Sequence, residues 1–131
     1  MGGGIEGNMK EIITIVRPKK VSATKEALVQ LGIPSLTAIP VLGRGKQKGI
    51  DGEVNIEYRK GILEQNKSGG MKYIPKRYLS IVVSDENAEA VIDTIIKINQ
   101  TGQIGDGKIF VCPVEDALRI RTDEQGEEAI S

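Results

Sequence analysis

The sequence predicts an α+β fold with an antiparallel sheet and both helices on one face of it. Three observations carry this. β-Branched runs and helix-period apolar stripes follow one another as strand, helix, strand, and that order occurs twice. A long glycine- and charge-rich stretch separates the two halves. The 131 residues are 39% apolar and 27% charged, as in one soluble domain with a core of its own.

Residues 1–8, MGGGIEGN, read as a flexible tail, and residues 9–131 as a single domain. IITIV, 12–16, is β-branched and reads as a buried strand that Arg17-Pro18 ends. SATKEALVQLG, 22–32, reads as a helix with Ser22 as N-cap, Ala27, Leu28 and Leu31 on one face, and Gly32 as its stop. A second strand runs from about Ser35 to Leu42. Apolar periodicity then disappears. Between Gly43 and Tyr78 there are nine Lys/Arg against four Asp/Glu, and a segment of this kind inside a small domain is a functional loop or disordered. RYLSIVVS, 77–84, is a third strand. The next helix carries Ala88, Val91, Ile92, Ile95 and Ile96 as one stripe, has Asp85 and Glu86 at its positive end, and stops near Gly102. KIFVCPV, 108–114, is a fourth strand, LRIR, 118–121, a short fifth, and TDEQGEEAIS a mobile acidic end. The order is βαββαβ, the split-βαβ or ferredoxin-like arrangement. One sheet face is left uncovered, which predicts self-association.

Absences narrow the chemistry. With no histidine and only Cys112, a zinc site and a His-activated nucleophile are excluded, and no internal disulfide can form, which fits a reducing cytoplasm. Zero net charge and 3% aromatic residues argue against a nucleic-acid partner. No apolar run approaches a membrane span, and no signal-peptide pattern opens the chain.

Three glycine-plus-cation elements remain. TGQIGDGKIF, 101–110, has the Gly102-x4-Gly107-Lys108 spacing of a P-loop, but a helix leads in, a strand leads out and Ile109 has no hydroxyl. It is either a tight turn that needs glycine dihedrals or a nest of backbone N–H groups beside Lys108. GRGKQKG, 43–49, is a flexible basic loop start or an anion-binding loop with Lys46 and Lys48 as charges and Gln47 as an oxygen ligand. Arg119-x-Arg121, on one face of a strand, is a solvated pair or a phosphate clamp. Together the three point to a polyphosphate ligand, provided the fold or an oligomer assembles them.

TGQIGDGKIF, RIRT and GRGKQKG, in this order around this outline, resemble the PII signal-transduction family from Met9 to about Ile130. The resemblance implies a trimer of ferredoxin-like subunits with ATP or ADP in each intersubunit cleft. Gly105, Asp106, Gly107 and Lys108 would line the nucleotide site. Thr37, Gly45, Lys46 and Gln47 would join from the base of the long loop, Ile15 and Val82 would pack near the adenine or ribose, and Arg119 and Arg121 would come from the neighbouring subunit. It implies 2-oxoglutarate bound through Mg²⁺ on the ATP phosphates, with Gln47 as metal contact, Lys76 for a carboxylate, and backbone near Lys48 and Gly49.

Residues 45–74 correspond to the family's partner-binding T-loop, here longer than in a typical bacterial member, with Arg44 where an aromatic is usual. Neither Tyr58 nor Tyr73 lies in a convincing modification motif. These departures resemble the archaeal branch encoded with nitrogenase, longer-loop paralogue. That implies a non-enzymatic sensor acting on dinitrogenase, as a homotrimer or with a sister PII subunit. Alternatives are a regulator of an ammonium transporter, the one case that brings a membrane, and an ATP hydrolase, for which Asp106 is the sole candidate base.

Overall fold

The structure is a computed structural model and describes residues 8–44 and 73–131. Four strands, β1 (Met9–Val16), β2 (Thr37–Arg44), β3 (Tyr73–Ser84) and β4 (Lys108–Val114), form one antiparallel sheet in the order β2-β3-β1-β4. The helices are α1 (Val21–Gln30), α2 (Asp85–Asn99) and a single turn, α3 (Glu127–Ile130). The βαββαβ order and the ferredoxin-like arrangement are those expected.

Alternation along the strands decides which side is core. Ile12 and Val16 of β1 and Leu79, Ile81 and Val83 of β3 face the helices and pack with Leu28, Val91 and Ile95. Among the described residues the opposite face is only partly covered, with α3 near Val82 at one end. Ile13 lies beside Phe110, and Ile15 beside Tyr78, which also neighbours Ile39. Phe110 is 50% and Ile39 46% exposed. Among the described residues an exposed apolar patch is thus present on this face, as the sequence indicated.

Several boundaries differ from expectation. β1 begins at Met9, three residues early, because its first residues pair with both β3 and β4. Ser22 is not an N-cap. Pro18 opens a 3₁₀ turn, Pro18–Lys20, which delivers Lys20 in helical geometry, so α1 starts at Val21 without a side-chain cap. Thr24 and Leu28 form the buried face of α1, while Leu31 is 44% exposed. Gly32 does end it: at φ 85°, its N–H donates to Val29 O, and that of Ile33 to Leu28 O, both at 2.9 Å, which is a Schellman motif.

In α2 the stripe runs through Val91 and Ile95 to Asn99, and Ile96 turns outward. Asn99 is buried because its amide donates to Thr24 Oγ1 (3.1 Å) and Ile95 O (2.9 Å), joining the two helices. β2 begins and ends about two residues later than expected, β3 begins earlier, at Tyr73, and their last pair is Arg44 with Tyr73. There the Arg44 guanidinium lies 5.4 Å from the Tyr73 ring centroid and donates to its hydroxyl at 3.2 Å.

No fifth strand forms at 118–121. Leu118 makes only an isolated bridge with Gln125. Between them the N–H groups of Thr122 and Asp123 fold back onto Arg119 O, with Asp123 at φ 62°, so the segment is a tight turn rather than extended chain. The acidic end closes in the helical turn α3, where Ala129 and Ile130 are half-buried. No helix among the described residues is long and apolar enough to cross a membrane.

Candidate functional site

The glycine-rich segment closes α2 and leads into β4. Gly102, Gly105 and Gly107 have φ of 84°, 101° and 111°, so it is a tight turn built on left-handed glycines. Gly107 has a second constraint. A Cβ there would lie 2.0 Å from the carbonyl oxygen of Ile15, so the turn packs directly on the β1 backbone.

Two buried cations hold the turn from within. Arg17, 5% exposed, donates through Nη1 to Asp106 Oδ1 (2.8 Å) and through Nη2 to Ile104 O (3.0 Å). Lys76, 7% exposed on β3, donates to Gly105 O at 2.9 Å. The other Asp106 oxygen accepts the N–H groups of Thr101 (2.7 Å) and Gly102 (2.8 Å), and the Thr101 hydroxyl donates to Oδ1. The Thr101 hydroxyl, then the Arg17 guanidinium, hold the Asp106 carboxyl well below the usual aspartate range. A carboxylate so committed is poorly suited to act as a general base.

With these acceptors engaged inward, the amides of Gly105 and Asp106 have no acceptor among the described residues. Lys108 stands exposed beside them, paired across the sheet with Ile15. The turn thus presents N–H groups and an ammonium and suits an anion.

Thr37, Val82 and Arg119 line a groove of about 730 Å³. Thr37 was expected at the base of the long loop. It is the first residue of β2 and sits at the other end of the strand from Arg44, where that segment begins. Arg119 and Arg121 do not share a strand face. Arg119 pairs with Glu124 at 2.8 Å, whereas Arg121 is exposed on the turn. Gly45, Lys46, Gln47, Lys48, Gly49 and Tyr58 lie outside the described residues.

The expected site residues therefore fall into two groups. Ile15, Lys76, Gly105, Asp106, Gly107 and Lys108 gather around the turn. Thr37, Val82 and Arg119 gather at the groove. Lys76 and Val82 are six positions apart on β3, about 20 Å at ~3.3 Å per residue. Sequence reasoning missed Arg17 and Thr101. The only available signal was a lone arginine ending an apolar strand, read merely as a boundary.

The description "Nitrogen regulatory protein P-II" matches residues 9–124. The chain is 57% identical over 122 residues to "Nitrogen fixation nifHD region GlnB-like protein 2" of Methanobacterium ivanovii, across 93% of this chain and 99% of that one. It is 43% identical over 122 residues to "Nitrogen regulatory protein P-II" of Rhizobium meliloti, across 93% and 100%. Among solved structures it resembles Arabidopsis thaliana PII bound to citrate, with a TM-score of 0.72, 34% identity, and coverage of 96% and 93%. With the ferredoxin-like sheet, the glycine turn and these relatives agreeing, the chain belongs to the nitrogen regulatory protein P-II family.

Proposed function

We propose that this chain is a non-enzymatic nitrogen-regulatory sensor that binds ATP or ADP, and 2-oxoglutarate with Mg²⁺, between copies of itself. The observation that carries the reading is the division of the anion-directed residues into two groups at opposite ends of β3, on a sheet that also exposes Ile39 and Phe110. One chain cannot close both groups on one ligand. A trimer packed through that exposed apolar patch can bring the turn of one copy to the groove of the next.

The residues fit such a ligand. The amides at Gly105 and Asp106 and the Lys108 ammonium suit phosphate oxygens, and Thr37 and Val82 give the groove a polar and an apolar wall. Lys76 suits the far carboxylate of a keto acid, which would then compete with Gly105 O for it. The described residues contain no cluster of three Cys, Asp or Glu placed to hold a metal. The divalent ion would be held by Gln47 together with oxygens of the ligands themselves. When bound, it supplies charge neutralisation and a chelation point.

The partner of choice is dinitrogenase, engaged through residues 45–74 by the chain alone or with a sister P-II subunit. The names of its relatives, drawn from nitrogen-fixation regions of methanogens, support that choice. Calorimetric titration of 2-oxoglutarate with and without Mg-ATP tests the sensor. Binding only in the presence of Mg-ATP is expected. Keto-acid binding unaffected by nucleotide, or none under either condition, would refute it. Pull-down of dinitrogenase, lost on adding both ligands, tests the partner.

A further inference from the structure

Arg119 already holds a set of oxygens. Its Nη2 donates to the backbone oxygens of Glu128 (3.1 Å), Ala129 (3.4 Å) and Ser131 (2.8 Å), and its Nη1 to the Glu124 carboxylate (2.8 Å). A guanidinium fork engages phosphate oxygens with these same donors. The oxygens come from a segment that also forms one wall of the groove: Glu127, Ala129, Ile130 and Ser131 line it opposite Thr37 and Val82. The ligand-side cation and the ligand-side space are thus both taken up by the chain's own last residues.

This segment is built to come away. α3 is a single turn, too short to be stable by itself. It hangs from Gly126, at φ 66°, whose N–H donates to Ala117 O (2.9 Å) and Asp116 Oδ1 (3.2 Å). Beyond that hinge it is held by Arg119 and by half-buried Ala129 and Ile130. It belongs to neither the sheet nor the core cluster, so its release leaves the fold intact.

We propose that residues 127–131 are a displaceable strap whose carbonyls stand in for anionic oxygens on Arg119, so that an oligophosphate entering the groove must expel the strap. The nucleotide as source of that oligophosphate rests on the function proposed above. Apparent affinity is then the intrinsic affinity reduced by the fraction of molecules with the strap open. By linkage, bound ligand must open the strap to the same degree.

The test compares wild type, Ile130→Asp, which undocks the apolar anchor, and a variant lacking residues 127–131. Each is titrated with a fluorescent ATP analogue and with tripolyphosphate. Amide exchange across 117–131 is followed in wild type with and without each ligand. Binding about tenfold tighter in both variants, with faster exchange of 127–131 in liganded wild type, is expected. Equal affinity in all three forms overturns the strap and leaves the nucleotide reading standing. Weaker binding in the variants also overturns it, since the segment would then enclose the ligand. No binding by any form overturns both.

Discussion

Arg17 and Asp106 meet at 2.8 Å between the end of β1 and the glycine turn, and the same guanidinium reaches Ile104 O at 3.0 Å. One buried side chain thereby fixes both a carboxylate and a carbonyl of the turn. Arg17→Ala is expected to lower the thermal midpoint and weaken ATP binding together. Arg17→Lys, which keeps the charge but not the fork, should restore stability more than affinity. Calorimetry and nucleotide titration of the two variants check this.

Asp106 gives a pH signature. Its folded-state pKa is depressed, so its contribution is complete above the ordinary aspartate value of roughly 3.9 and is lost only as pH falls below that towards the folded value. The backbone amides of Thr101 and Gly102, which it holds, should keep their NMR shifts through pH 4. In Asp106→Asn they should be displaced already at neutral pH. A wild-type midpoint near 4 would contradict the assignment.

The turn glycines are unequal. Gly107→Ala places a methyl 2.0 Å from Ile15 O at a φ of 111°, and should cost roughly 3 kcal/mol or more. Gly102→Ala meets nothing within 4 Å and should cost only the left-handed strain, about 1 kcal/mol. Urea denaturation of both variants separates space from dihedral.

On α1, Leu28 is buried and Leu31 is 44% exposed. Leu28→Ala should destabilise by roughly 2–5 kcal/mol, and Leu31→Ala by about 0.5 kcal/mol or less. Similar losses in the two variants would mean that both leucines share the core.

The exposed apolar patch on the sheet predicts its own disruption. Phe110→Asp puts a carboxylate beside Ile13, where a partner copy would have to bury it. Sedimentation should show monomers with the helical signal retained. An unchanged oligomer would remove the intersubunit site.

Sequence periodicity was sufficient for the strands, α2 and the Gly32 stop because each depends on local spacing. It failed where a distant group decides. Ser22 looked like a cap, yet Pro18 had already set the helical path. The stripe reads as ending in Ile95 and Ile96, but Thr24, 75 positions from Asn99, makes that asparagine a core residue as well. RIRT alternates like a strand, yet it has no neighbouring strand to pair with and folds on itself. The glycine turn was legible as glycines and a lysine. That Arg17 and Lys76 would turn its oxygens inward was not, because both contacts cross the sheet.

The Arg44–Tyr73 pair has a bearing on how this protein can diversify. It ties β2 to β3 at the point where residues 45–72 leave and return. The entropy of closing an insertion on such a clamp grows only with the logarithm of its length, about 0.6 kcal/mol for each doubling. A clamp of this kind can therefore carry insertions of different length at small cost in stability, while the scaffold beneath keeps its register.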